Sequence, residues 1–319
     1  MNVKIDAHIH TSVLLHKLVE SLDIRPDRRN VIVDATLGLA GHASEVIAKM
    51  KSGDRFIGFD ADARNLTLAR ERLEALHSPV EIILIHSNFE YLREKLSEYK
   101  IELCTAIYYD LWVSSLHFDE AERGFSLRLE GPLDMRFDTR YGKTAADILN
   151  YAEEKEIVDI LKNFGEEAQH RKIAHEIVQE RKRKRFITTK DLTEFLDTKI
   201  NTHIKTKMRV FQALRIEVNK ELETLETSLK QAVKSLEVGG KIFVISFHSL
   251  EDRIVKHFFQ KEARDCICQS IICTCWHQAS LKILSKKPIL PSIQEQKDNS
   301  RSRSAKARLA QKIEAKKFT

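Results

Sequence analysis

Val31-Ile-Val-Asp-Ala-Thr-Leu-Gly-Leu-Ala-Gly-His42 carries the strongest fold signal in the chain. A short β-branched run ends on Asp34, passes through two glycines, and opens into a helical pattern, Ala43-Ser-Glu-Val-Ile-Ala-Lys-Met50. This is the strand–loop–helix start of a nucleotide-binding α/β domain. The glycines let the backbone approach a ligand closely, and the helix N-terminus points N–H groups at it. The same grammar serves nicotinamide, flavin and S-adenosylmethionine enzymes, and it also occurs as a plain βα turn without a ligand.

Downstream, Arg55-Phe-Ile-Gly-Phe-Asp60 reads as a second strand ending on an acid, with a helix from Asp62 to about Leu76. Roughly 20 residues separate that acid from the glycine loop, which suits a carboxylate accepting from the two hydroxyls of a ribose. Asp62 is the better helix cap, which leaves Asp60 for the ligand. A third strand, Val80–His86, runs into Asn88-Phe89, and a fourth, Thr105–Leu111, ends near Asp110. Four βα units in series predict a doubly wound, mainly parallel sheet with ligands at the carboxyl ends of the strands. Upstream, residues 13–22 space their apolar groups like a helix.

The pattern breaks from about Ser114 to Arg209. A charged loop is followed by helical segments at Tyr151–Asn163, Glu166–Lys184 and Lys190–Lys199, which predicts a helical insertion. The expected division is 1–113, 114–210 and 211–319. The α/β pattern resumes with a long helix over Phe211–Leu236, stopped by Gly239-Gly240, then the strand Lys241–Phe247 and a helix from about Leu250 to Gln260. Leu281–Leu290 reads as an edge strand limited by Pro288 and Pro291. Asn299–Lys306, small, polar and basic, reads as a flexible tail or a phosphate-contacting arm.

The 319-residue chain is 42% hydrophobic and 31% charged, an ordinary globular balance. No apolar run approaches the ~20 residues of a membrane span. Met1–His8 lacks the basic-then-apolar pattern of a signal peptide, so a cytoplasmic location is expected. The formal charge of +6 is unevenly placed: Ser280–Thr319 carries eleven Lys or Arg against three acids, and a second focus lies at Arg181-Lys-Arg-Lys-Arg185. Two such clusters in a chain otherwise near neutrality favour a polyanionic partner over merely solvated faces. Four of the five cysteines are Cys266, Cys268, Cys273 and Cys275. Disulfides are disfavoured in a cytosolic protein. Their Cys-x-Cys-x4-Cys-x-Cys spacing can supply a tetrathiolate zinc site but departs from the common Cys-x2-Cys knuckle; reduced thiols in a loop are the favoured reading, and no metal ligand is assigned.

Two stretches go beyond generic grammar. One runs Asp110-Leu-Trp-Val-Ser-Ser through Glu122-Arg-Gly-Phe-Ser126 to Gly131-Pro-Leu-Asp-Met-Arg136. The other joins Phe211-Gln-Ala-Leu-Arg-Ile216 to Ile245-Ser-Phe-His-Ser-Leu-Glu-Asp-Arg253, with Arg301-Ser-Arg-Ser-Ala-Lys306 near the end. Here the sequence resembles the bacterial 16S ribosomal RNA cytosine-N4 methyltransferases that use S-adenosylmethionine, from about His8 to Arg308. The resemblance implies a class I (Rossmann-like) methyltransferase sheet with a helical insertion domain. It also implies N4 methylation of a cytosine in the decoding region of 16S rRNA. The implied partner is 16S rRNA or the small ribosomal subunit, with no membrane partner and a homodimer as one option.

The resemblance carries over residue by residue. The family's cofactor-contacting Gly-Gly-His falls on Ala40, Gly41 and His42; the acid after the second strand on Asp60; the Asn-Phe phenylalanine on Phe89; the fourth-strand acid on Asp110; and a glutamine on His117. Asp60 would hold the ribose, Phe89 would pack on adenine, and Asp110 would lie near the methionine end. Ala40, Trp112 and His117 depart from the family's glycine, glycine and glutamine. The exocyclic amine of cytosine is a poor nucleophile, so an acceptor must draw on its protons while it is aligned with the methyl donor, and no metal is needed. Asp110 is the first catalytic candidate. Asp134 could orient the base or brace its loop with Arg136, and His248 could take up a proton or serve the strand end structurally. Trp112 offers a stacking surface for an extruded base, and Trp112→Gly should raise activity if its bulk merely obstructs. A rival reading is a non-catalytic RNA-binding or ribosome-assembly factor that keeps the fold. A nicotinamide oxidoreductase is disfavoured because the full Gly-x-Gly-x-x-Gly fingerprint is absent.

Overall fold

The computed structural model describes residues 12–200, 203–268 and 274–314, so Cys273 lies outside the described residues. The chain forms two compact units, Met1–Trp112 with Leu225–Thr319, and Val113–Thr224. The first unit begins α1 (Leu15–Ser21), β1 (Val31–Asp34), α2 (Gly41–Ile47), β2 (Arg55–Asp60), α3 (Ala63–Glu74), β3 (Glu81–His86), α4 (Leu92–Glu98) and β4 (Cys104–Asp110). The insertion holds α5 (Ser115–Asp119), α6 (Ala145–Tyr151), α7 (Glu154–Asn163), α8 (His170–Glu180), α9 (Thr189–Phe195) and α10 (Ile204–Asn219). The chain then runs through α11 (Glu221–Ser235), β5 (Leu236–Ser246), α12 (Ser249–Glu262), β6 (Leu281–Ile283), α13 (Ile293–Asp298) and β7 (Lys306–Lys312).

The sheet order is β3-β2-β1-β4-β5-β7-β6. The first five strands are parallel, and β7 runs antiparallel between β5 and β6. Side chains alternate across a strand, so each buried strand feeds two cores. Ile32, Phe56, Tyr108 and Phe243 join the layer containing α1 to α3, while Val33, Ile57, Tyr109 and Val244 join that of α4, α11 and α12. This is the doubly wound, mainly parallel α/β arrangement that the sequence predicts.

Four features differ from the sequence reading. The long helix expected over Phe211–Leu236 is two helices, broken at Lys220, whose φ is +49°. Val210, Phe211, Ala213 and Leu214 on α10 are buried in the insertion's own core, so that unit extends to Thr224 rather than stopping at residue 210. Gly239-Gly240 does not end a helix but lies inside β5. There the register shifts between Cys104 and Ala106 on β4, Gly239 has φ +90°, and a Cβ on Gly240 would stand 2.9 Å from the Glu237 carbonyl oxygen. The basic stretch after Asn299 enters the sheet: Ser302 and Ala305 are buried in the turn, and 306–312 form β7, so this part is not a flexible tail.

In the insertion, the quoted motifs brace one another. Arg123 donates to the carbonyls of Arg136 and Phe137, and accepts at its own carbonyl from Met135. Asn219 donates to the Met135 carbonyl at 2.7 Å and accepts from Phe137 N–H at 2.8 Å. Gly124 has φ +75°, and a Cβ there would overlap the Pro132 carbonyl oxygen. Side chains of the insertion's basic run also make local contacts, while residues 182–185 remain exposed. Arg181 donates to the Leu149 and Ala152 carbonyls, Lys184 pairs with Asp191 at 2.6 Å, and Arg185 lies over the Tyr151 ring.

Candidate functional site

The carboxyl ends of three neighbouring strands each carry an acid: Asp34 on β1, Asp60 on β2 and Asp110 on β4. The winding reverses between β1 and β4, the place where open α/β sheets bind their ligands. The turn after β1 ties the three together. Thr36 N–H donates to Asp34 Oδ1 at 3.0 Å, Gly38 N–H to Asp60 Oδ2 at 2.8 Å, and Asp110 N–H to Thr36 Oγ1 at 2.6 Å. Gly38 takes φ +52°, which aims its N–H back at Asp60. Asp62 caps α3 through Arg64 N–H, as its spacing predicted, and its own N–H donates to Asp60 Oδ1 at 2.8 Å.

Burial pushes all three carboxyls up to about 7 from an ordinary 3.8. At Asp34 the hydrogen bond from the Thr36 N–H works in the other direction, as do the N–H groups of Asp62 and Gly38 at Asp60. The edge is therefore a set of acids held where ionisation is costly.

Ala40, Gly41 and His42 open α2. Ala40 sits at φ +59° with its methyl fully buried in the core, so the departure from glycine turns away from solvent. His42 is buried too, and its Nε2 lies 2.9 Å from the Val13 carbonyl oxygen. A carbonyl only accepts, so Nε2 carries a proton. The other nitrogen, Nδ1, stands 3.3 Å from Asp110 Oδ2. That contact needs a proton of its own, supplied by a protonated Asp110 or an imidazolium. Burial lowers the His42 pKa and raises that of Asp110, so the proton belongs mainly to the carboxyl.

Phe89 starts the turn after β3 and is half-buried, edge-on to Tyr109 with centroids 5.7 Å apart. Trp112 packs against Phe247 at 4.8 Å. His248 caps α12: Glu251 N–H donates to its Nδ1 at 3.4 Å, while Nε2 lies 3.0 Å from Glu251 Oε1. The ring is thus held by Glu251 through Nδ1. His117 and Asp134 belong to the other unit. His117 is buried between Phe125 and Phe137, at 4.9 and 5.2 Å, and Asp134 forms a two-pronged pair with Arg136 at 2.8 and 2.7 Å. Asp34 and Thr36 were not singled out from the sequence as site residues, although both lie in the glycine-loop stretch between Val31 and His42.

The profile of the MraW methylase family matches residues 7–313. The chain belongs to the MraW methylase family. Among its relatives, ribosomal RNA small subunit methyltransferase H of Clostridioides difficile (strain 630) is 43% identical over 311 residues, covering 95% of this chain and 99% of the relative. The protein of the same name in Caldicellulosiruptor saccharolyticus is 41% identical over 309 residues, with 95% and 99% covered. The similarity runs through the whole MraW-type chain, insertion included. Among the described residues no helix is long and apolar enough to cross a membrane.

Proposed function

We propose that this MraW-family protein uses S-adenosylmethionine to methylate the N4 amine of a cytosine in the decoding region of 16S rRNA. The observation that carries the reading is the row of three acids at the sheet's switch point, Asp34 buried and Asp60 and Asp110 half-buried, joined by one turn. Such a row fits a ligand bearing a sulfonium, an ammonium and a ribose. The cationic groups offset carboxylates whose ionisation is otherwise costly, and the ribose hydroxyls can donate to a carboxylate. When bound, S-adenosylmethionine supplies the electrophilic methyl group.

The chain's own residues would do the rest. Asp60, fixed by the Gly38 and Asp62 N–H groups, would exchange its longer contacts with the Asn65 side-chain amide, at 3.3 and 3.4 Å, for the ribose hydroxyls. Phe89, resting on Tyr109, would offer a face to adenine. Asp34 would meet the cationic end. Asp110 would accept from the cytosine amine, and once ionised could take up the proton that nitrogen must shed. The His42 Nδ1 contact then gives that proton a second seat. We assign His248 and Asp134 to positioning, since each is engaged by a neighbour on its own unit. Basic residues at 181–185 and the exposed Arg303 would meet rRNA phosphates, whether in free 16S rRNA or in the assembled subunit.

The test is methyl transfer to small ribosomal subunits, with mass mapping of the modified nucleotide. Methylation of a single cytosine at N4 is expected. Cofactor binding without transfer would overturn the enzymatic reading and favour an assembly factor.

A further inference from the structure

The eighteen-residue connection from α12 to β6 is closed at its base. Ser280 N–H donates to the Glu262 carbonyl at 2.8 Å and Ser280 Oγ to the Glu262 carboxylate at 2.6 Å, while the His277 ring lies 3.1 Å from the Lys261 carbonyl oxygen. Above that base three thiols converge. The Sγ atoms of Cys266, Cys268 and Cys275 all lie within 4.8 Å of one another, and those of Cys266 and Cys275 are 3.9 Å apart. In a tetrahedral site with Zn–S bonds of about 2.3 Å, neighbouring sulfurs are separated by about 3.8 Å. The thiols therefore need to move by less than an ångström to share one ion.

Backbone amides surround the same atoms. Thr274 N–H points at Cys268 Sγ at 3.3 Å, Cys268 N–H at Cys266 Sγ at 3.4 Å, and Ile267 N–H at Cys275 Sγ at 3.5 Å. Amides directed at sulfur stabilise thiolate charge and orient metal-ligating cysteines.

We propose that Cys266, Cys268 and Cys275 form a thiolate site for a single zinc ion that staples the α12–β6 connection. The ion displaces the thiol protons as it binds and undergoes no redox change. Three protein ligands leave one tetrahedral position for a fourth donor. The site takes no part in methyl transfer and does not rest on the proposed function.

The test uses the full chain purified anaerobically. Elemental analysis should find one zinc per chain. After removal by a chelator, cobalt(II) should restore stoichiometric binding with a sulfur-to-cobalt charge-transfer band and the d–d bands of a tetrahedral site. Trp276, 79% exposed beside Cys275, should change its fluorescence when the metal leaves. Cys266→Ser and Cys268→Ser should each weaken zinc binding at least tenfold and reduce the charge-transfer intensity, while far-ultraviolet circular dichroism shows the sheet intact. Should a variant fail to fold, the cobalt spectrum of the unsubstituted chain still decides. Absence of stoichiometric metal and of the cobalt bands overturns the proposal. So does alkylation mapping that finds Cys266 joined to Cys275 in a disulfide in the metal-free anaerobic protein.

Discussion

Asp34→Asn should make the protein without cofactor more stable at alkaline pH, and leave it little changed at acid pH. Asp34 is 1% exposed at the end of β1, and burial raises its pKa from 3.8 to about 7. Folding thus tightens proton binding. The resulting penalty is absent below the unfolded pKa, grows as pH rises from there, and is complete above about 7. Each tenfold gain in proton affinity is worth about 1.4 kcal/mol, so the penalty is about 4 kcal/mol at pH 8 and about 2 kcal/mol at pH 5. Asparagine keeps an acceptor for the Thr36 N–H but adds a buried amide, costing about 2 kcal/mol at either pH. The net gain is therefore about 2 kcal/mol at pH 8 and near zero at pH 5. In melting temperature that is about 4–8 °C at pH 8 for a unit of this size. Paired melts at the two pH values read the difference, in which the amide cost cancels. A variant less stable than the parent at pH 8, or a change identical at both, would refute the burial argument. Isothermal calorimetry on the same variant should show S-adenosylmethionine binding at least tenfold weaker, because the compensating carboxylate is gone.

The other expectations are briefer. Ala40→Gly releases about 1–2 kcal/mol of left-handed strain but loses a buried methyl worth about 0.8 kcal/mol and adds chain entropy of similar size, so its melting temperature should stay within a few degrees of the parent. Gly124→Ala, whose Cβ would overlap the Pro132 carbonyl and come within 2.7 Å of the Asp134 nitrogen, should cost about 3 kcal/mol in denaturant titration of the insertion. Trp112→Gly should lose about 2–3 kcal/mol through the gap left against Phe247, and single-turnover methylation should show no gain in rate; faster transfer would show that the indole obstructs the site. Replacing Lys182, Arg183 and Lys184 together by Gln should flatten the salt dependence of 16S rRNA binding, lowering its logarithmic slope by up to about three, and an unchanged slope would remove this run from the interface.

The strands at Val31, Arg55, Glu81 and Cys104 were legible because buried parallel strands are continuous apolar runs, and each ended on a visible acid or turn. The strand at Lys306–Lys312 was not. Lys-Ala-Arg-Leu-Ala-Gln-Lys has the composition of a basic helix or tail, and only its pairing with β5 and β6 makes it a strand. Arg308 hides in that setting by a two-pronged bond to Asp252, at 2.7 and 3.1 Å, which no local pattern announces. The broken helix at Lys220 was hidden for the opposite reason: the periodicity on both sides is helical, and one residue in the left-handed region separates them. At the site, the residue types and their strand ends were readable from spacing. The protonation linking His42 to Asp110 was not, since it depends on where the Val13 carbonyl falls.

That linkage bears on the chemistry in a way the individual residues do not. An ionised carboxylate beside the cytosine amine would be the stronger acceptor, yet an isolated buried carboxylate at this edge is costly, as the raised pKa of Asp110 shows. His42 offers a way between the two. With Nε2–H committed to Val13, Nδ1 can accept the Asp110 proton only by becoming imidazolium, and burial opposes that state. A ligand cation at Asp34 shifts the balance of the whole row toward ionised carboxylates and so favours the form of Asp110 that can draw on the amine. The prediction is proton release when S-adenosylmethionine binds. Calorimetry at pH 6 in buffers of different ionisation enthalpy should give binding heats that vary with the buffer, in the direction of protons leaving the protein. Asp110→Asn should reduce that dependence, while Phe89→Leu, which weakens the adenine contact alone, should leave it in place. Buffer-independent heats would mean that the three acids are already ionised before the cofactor arrives, and the role assigned to the His42–Asp110 contact would fall with them.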